Sequence, residues 1–160
     1  MTDVQELVAK VEASDVFEQG SLYLCHVFTN VKDGNHDMEV GYYDRKTDKI
    51  TVFVGDPVVA RPPEDVYKDG GAVQELKISD VSIGFAEAQQ IAEDFRTAKY
   101  NAHPVMQAIC VLQQLDEPVW NITLVLATLN MLNIRIHAGS GDIISTDLRN
   151  IMDLRQKEDG

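Results

Sequence analysis

The chain is short of almost everything that would announce a chemistry. It has two cysteines, Cys25 and Cys110, with no CxxC spacing. Neither a zinc knuckle nor a disulfide framework can be drawn from them, and the expectation is two free, buried thiols. Basic residues are scarce: 14 Lys and Arg stand against 26 Asp and Glu, a formal net charge of −12. The basic footprint that binds phosphate backbones or anionic lipid is missing, so nucleic-acid and membrane partners are disfavoured. No apolar run approaches the roughly 18–20 residues of a bilayer span. The opening MTDVQELVAK lacks a charged n-region followed by an apolar h-region, so the chain reads as cytoplasmic. No GxSxG, HExxH, Walker or GxGxxG pattern occurs. No catalytic residue, metal or cofactor is therefore assigned, and a non-enzyme is expected.

What is present is patterning. In 160 residues, 44% hydrophobic, there is material for one core. The densest stretch is Glu117 to Thr146, with the single Trp. Val119–Ala127 and Met131–Ala138 are two β-rich runs split by Thr128, Leu129 and Asn130, which predicts a hairpin. Side chains alternate faces along strands. Ile122, Leu124 and Leu126, with Leu132, Ile134 and Ile136, form one apolar face. Asn121, Thr123, Asn133, Arg135 and His137 form the polar one, the best candidate binding surface. A Gly139-Ser140-Gly141-Asp142 turn then leads into a short strand at Ile143 and Ile144. Because this turn joins strands, it makes a poor phosphate cradle.

Upstream, Thr2 and Gln5 make a capping box. Val4, Leu7, Val8 and Val11 stripe a helix expected to reach Phe17 or Glu18, with Gly20 as its stop. Ser21–Thr29, Met38–Asp44 and Lys49–Gly55 predict a three-stranded antiparallel meander. Residues 56–71 hold three of the five prolines and read as a loop. Val73–Ile78 is an extended segment. Ser82 is the expected cap of a second helix with Phe85, Ala88, Ile91, Ala92 and Phe95 inward. His103-Pro104 opens the ambiguous VMQAICVLQQL. A short helix is preferred there, although AICVL also fits a buried strand. Ser145 or Thr146 is expected to cap a terminal helix bearing Leu148, Ile151, Met152 and Leu154.

Residues 1–55 and 72–160 thus form two halves of similar order, and their turns echo each other. Asp44 to Ile50 aligns with His137 to Ile143, sharing a hydroxyl residue at the fourth place and Ile at the seventh.

The capped helix Ser82–Phe95, Trp120-x-Ile122 and the run Ile134 to Ile143 together resemble the PepSY domain. That family's unit ends in a D-A-x-T-G-x-I turn. Here Ala138, Gly141 and Ile143 fit, Ser140 replaces Thr, and His137 replaces Asp. In the first half Asp44, Thr47 and Ile50 fit, while Asp48 stands where Gly is usual. The resemblance is clearest in 82–146 and fainter in 2–55. It implies an α+β fold of antiparallel strands packed on helices, and a noncatalytic module that binds protein or peptide. The predicted element order is also similar to the small acidic chaperones of type III secretion, which are cytoplasmic homodimers, so a homodimer is a second expectation. The alternative is a small-molecule or metal-binding protein, or an enzyme, that uses the polar face around His137.

The remaining histidines read as structural. His26 neighbours Cys25 in a strand, so the two should point to opposite faces. His36 lies in a solvated DGNHD turn, and His103 at a helix start.

Overall fold

The computed structural model describes residues 1–66, 73–101 and 103–150. A nine-stranded antiparallel sheet dominates, with two helices against it. Helix α1 is Asp3–Glu12. Strands β1 (Leu22–Lys32), β2 (Met38–Asp44) and β3 (Lys49–Val54) follow, with the short β4 (Val59–Ala60) and β5 (Glu64–Asp65). After a 3-10 turn at Ile78–Asp80 come α2 (Phe85–Tyr100), β6 (Val105–Gln114), β7 (Pro118–Leu126), β8 (Asn130–His137) and β9 (Ile143–Asn150). The spatial order is β4-β3-β2-β1-β6-β7-β8-β9, and β5 also pairs with β3. The α+β expectation therefore holds at the level of architecture, with strand outweighing helix.

The first strand of each half, β1 and β6, meet antiparallel at the centre. Each half then meanders outward to its own edge. Both helices contribute to one core on one face. Val4, Val8 and Val11 of α1 and Phe85, Ala88 and Ala92 of α2 join Tyr42, Leu112, Trp120, Ile122 and Ile134 in it. The ring of Trp120 lies 6.0 Å from Phe85, and its indole N–H donates to the Ile83 carbonyl at 2.8 Å. The buried polar end of the single Trp is thereby satisfied.

The helices meet at their N-termini. Thr2 and Gln5 form the expected capping box on α1. The Gln5 amide also donates to the carbonyls of Ile78 and Val81, at 3.1 and 3.0 Å. Helix α2 has no capping side chain of its own. Its N-cap is Gly84 rather than Ser82, and the carboxylate of Asp3 accepts from Phe85 N and Ala86 N at 2.8 and 3.1 Å. A carboxylate there satisfies orphan N–H groups and complements the helix dipole. A Cβ at Gly84 would lie 2.5 Å from Asp3 Oδ1 and would push this cap aside. Ser82 instead donates its backbone N–H to Ala138 O at 2.9 Å. Sequence spacing sees only local caps, and this one comes from 82 residues away.

Five further expectations need correction. Helix α1 ends at Glu12, because Ser14 Oγ donates back to Val11 O at 2.7 Å. That frees Phe17 to pack on Tyr42 and Phe53 at 4.9 and 5.5 Å. Gly20, at φ +43°, sits in the loop before β1. The preferred helix over 103–115 is the central strand β6. Ala108, Cys110 and Leu112 are buried at period two, and a strand flanked on both sides hides this behind half-buried neighbours. The terminal helix expected from Ser145 or Thr146 is instead β9, which extends to Asn150 and pairs with β8 from Asn130 to Ile136. Cross-strand pairing outweighed a weak helical period. Ile151, Met152 and Leu154 lie outside the described residues. The loop at 56–71 contains β4 and β5 on β3, and its residues 67–71 are outside the described set. Val73–Ile78 forms no strand, although Leu76 N–H reaches Leu24 O at 2.8 Å.

Candidate functional site

All five residues proposed from alternation lie on the sheet face opposite the helices, in three neighbouring cross-strand rows. One row runs His26, Gln113, Val119, His137. The next runs Phe28, Val111, Asn121, Arg135, Ser145, and the third Asn30, Ile109, Thr123, Asn133, Asp147. The face is therefore polar over β7 and β8 and apolar at the centre, where Phe28, Ile109 and Val111 are half-buried. These three are absent from the core that the helices cover.

The polar groups differ in what they are free to do. Asn133 Nδ2 donates to Asn121 Oδ1 at 2.6 Å and to Thr123 Oγ1 at 3.1 Å. These three side chains satisfy one another across β7 and β8. Arg135 is exposed and takes no ion-pair partner among the described residues.

His137 is held by the turn that follows it. Its Nδ1 accepts the backbone N–H groups of Gly139 and Ser140, at 2.9 and 3.1 Å. Its Nε2 faces Glu117 Oε2 at 3.2 Å. An imidazole accepting twice at Nδ1 carries its proton on Nε2, which then donates to Glu117. His137 thus performs the task an aspartate performs in such a turn. Glu117 escaped sequence reasoning. The signal was register: Val119 opposes His137, so residues just before β7 reach the end of β8.

The Asp44 turn has the same geometry. Asp44 Oδ1 accepts from Lys46 N at 2.9 Å, as His137 Nδ1 does from Gly139 N. Asp48 N–H returns to Asp44 O at 2.8 Å, as Gly141 N–H does to His137 O at 2.8 Å. Asp48 and Gly141 both take positive φ, +57° and +83°. The Ser21 hydroxyl, then the Lys46 N–H, hold the Asp44 carboxyl below its usual range. The two turns nevertheless occupy different corners: one joins β2 to β3, the other β8 to β9. If the halves are matched outward from β1 and β6, the strand corresponding to β3 is β8. The sequence echo is thus a shared turn and not a shared place.

Cys25 and His26 do not face apart. The register shift between Leu24 and His26 is a bulge, which puts consecutive side chains together. Cys25 Sγ lies 3.5 Å from His26 Nδ1. Burial pushes the Cys25 thiol up to about 12, against the smaller effect of its His26 bond, so this pair supplies no thiolate. Burial also lowers His26, with Glu39 opposing. The ring lies over Gly41, where a Cβ would come within 2.1 Å of it. Cys110 is likewise free, buried and raised to about 12 by desolvation. His36 stacks on Phe85 at 6.3 Å. His103 follows α2 rather than opening a helix, and its carbonyl accepts from Arg96 at 2.9 Å. No metal-ligating group of three or more His, Cys, Asp or Glu occurs among the described residues. No helix among them is long and apolar enough to cross a membrane.

On the helix side, a cleft of about 570 Å³ opens between α2 and the sheet. Val31, Val105, Ala108 and Leu124 line it, with Gln89, Gln90 and Glu93 at its rim.

The fold, with a sheet face that no described helix covers, defines a sheet-dominated α+β chain with no assembled catalytic constellation among the described residues. No protein-family model matches it, and no curated protein matches it in sequence. Among solved structures, it is similar to a candidate lipoprotein from Clostridium difficile 630. The TM-score is 0.61 at 10% identity, over 92% of this chain and 93% of the other. At that identity the likeness speaks for the fold alone.

Proposed function

We propose that the chain is a noncatalytic binding module, PepSY-like in plan, that takes a protein or peptide segment on the open face of its sheet. The observation that carries this reading is the one-sided placement of the helices. It leaves Phe28, Ile109 and Val111 half-exposed beside Asn121, Thr123, Asn133 and Arg135. An apolar centre with a polar flank is the composition of a docking patch. His137 serves as the turn's acceptor, with Glu117 behind it, and is no catalytic base in this reading. The two buried free thiols accord with a cytoplasmic setting, which cell fractionation tests.

Peptides selected by display against the immobilised protein test the proposal. Selected binders should lose at least about tenfold in affinity, roughly 1.4 kcal/mol, to Val111→Lys, with the melting temperature held. Binders indifferent to Val111→Lys and Arg135→Glu would place the target elsewhere and end this reading. A second reading, small-molecule binding, is favoured by the cleft under α2 rather than by His137. A ligand panel that shifts the melting temperature of the wild type but not of Ala108→Leu, which fills that cleft, would support it.

A further inference from the structure

The two edges of the sheet are finished differently. On one side β3 is covered by β4 and β5, each two residues long. On the other, β9 runs eight residues with seven exposed. An edge of that length is ordinarily blunted by lysine, proline, an inward-pointing charge or a covering element. Strand β9 has no lysine or proline, and its two charges, Asp147 and Arg149, lie on the open face in rows with Asn133 and Met131. On the helix side, Ile143 and Leu148 oppose Ile136 and Leu132. They remain 39% and 40% exposed, although their partners are buried.

We propose that β9 pairs antiparallel with β9 of a second copy of this chain, about a two-fold axis at Leu148. The charge pattern selects this register. Centred on Leu148, each Asp147 faces the partner's Arg149 and each Thr146 faces the partner's Asn150. The ion pair now made within one strand, Asp147–Arg149 at 2.7 Å, becomes an alternating cluster of four charges. Opposite charges directly across a strand pair are favourable. Centred between Thr146 and Asp147, the same strands would put Arg149 against Ile144 and match no charge. A two-fold perpendicular to the sheet keeps both helix layers on one side, so Leu148 covers the partner's Leu148. The join extends the sheet, and on the open face its charge cluster stands at the β9 end of the row that holds Asn133.

Sedimentation equilibrium from about 1 µM to about 500 µM tests this, because one edge buries less than the standard interface of about 800 Å² per partner and associates weakly. The wild type should pass from monomer to dimer. Asp147→Arg and Arg149→Asp should each remain monomeric, and the double charge swap should restore the dimer. Circular dichroism checks that each variant is folded, and exchange of the β9 amides should slow with concentration in the wild type and in the swap but not in the single variants. A wild type monomeric throughout overturns the proposal, as do single variants that still dimerise, or a folded double swap that does not. So does a monomer whose β9 amides gain protection only when another protein is added, which gives the edge to a foreign strand. Peptide binding by Leu148→Lys, which breaks the join on the helix side and should be monomeric, tests the open-face reading separately.

Discussion

The Asp44 and His137 turns reach one backbone path by different chemistry. Each closes with an N–H returned four residues back, and each needs a fifth residue in the left-handed region. The first uses a carboxylate assisted by Ser21, the second an imidazole assisted by Glu117. The first places Asp48 at positive φ, the second Gly141. The requirement is for an acceptor at the first position, and residue type is secondary. That a shared turn sits at unlike corners also warns against reading a duplication from motif spacing alone.

The sharpest way to break the likeness is at the fifth position. Gly141→Ala should destabilise by about 1–2 kcal/mol, the usual cost of a left-handed non-glycine residue. Its Cβ would also meet Ile83 Cδ1 at 3.3 Å. Asp48→Gly at the matching place should be close to neutral, relief of backbone strain offsetting loss of the contact from the Tyr43 hydroxyl. Urea denaturation of the pair measures both; equal losses would show that the turns are not equivalent.

Next is the acceptor. His137→Ala should cost about 1 kcal/mol by removing one hydrogen-bonding side chain from a partly exposed turn. His137→Asp should recover part of that, limited by repulsion from Glu117. If His137→Asp is no better than alanine, the imidazole does more than accept.

The smallest effect is that of pH on the first turn. The Asp44 carboxyl is depressed below 3.8 when folded, so the folded state holds its proton less tightly than the unfolded chain. Its contribution is complete above that ordinary value and fades as pH falls through the lower folded value. Stability curves of the wild type and Asp44→Asn should therefore stand apart above the ordinary carboxylate value and approach each other as pH falls through the lower folded value. Convergence at neutral pH instead would remove Asp44 from the turn's energetics.

Much of this molecule was legible in the residues themselves. The capping box, the β1–β3 meander, the β7–β8 hairpin, the inward stripe of α2 and the five residues of one sheet face all follow from periods of 3.6 and 2. Those signals are local, and the structure obeys them. The failures share one cause. Whether VMQAICVLQQL is helix or strand depends on β1 and β7 flanking it, and whether 145–150 curls or extends depends on β8. Residues near Ser82 take their cap from Asp3, and His26 meets Cys25 only because β2 forces a bulge. The sequence alone determined which residues seek the interior and where turns are cheap. Tertiary structure decided which strand lies at the centre, which edge is left open among the described residues and what His137 does. Pairing energies come from residues distant in the chain, and no local window contains them.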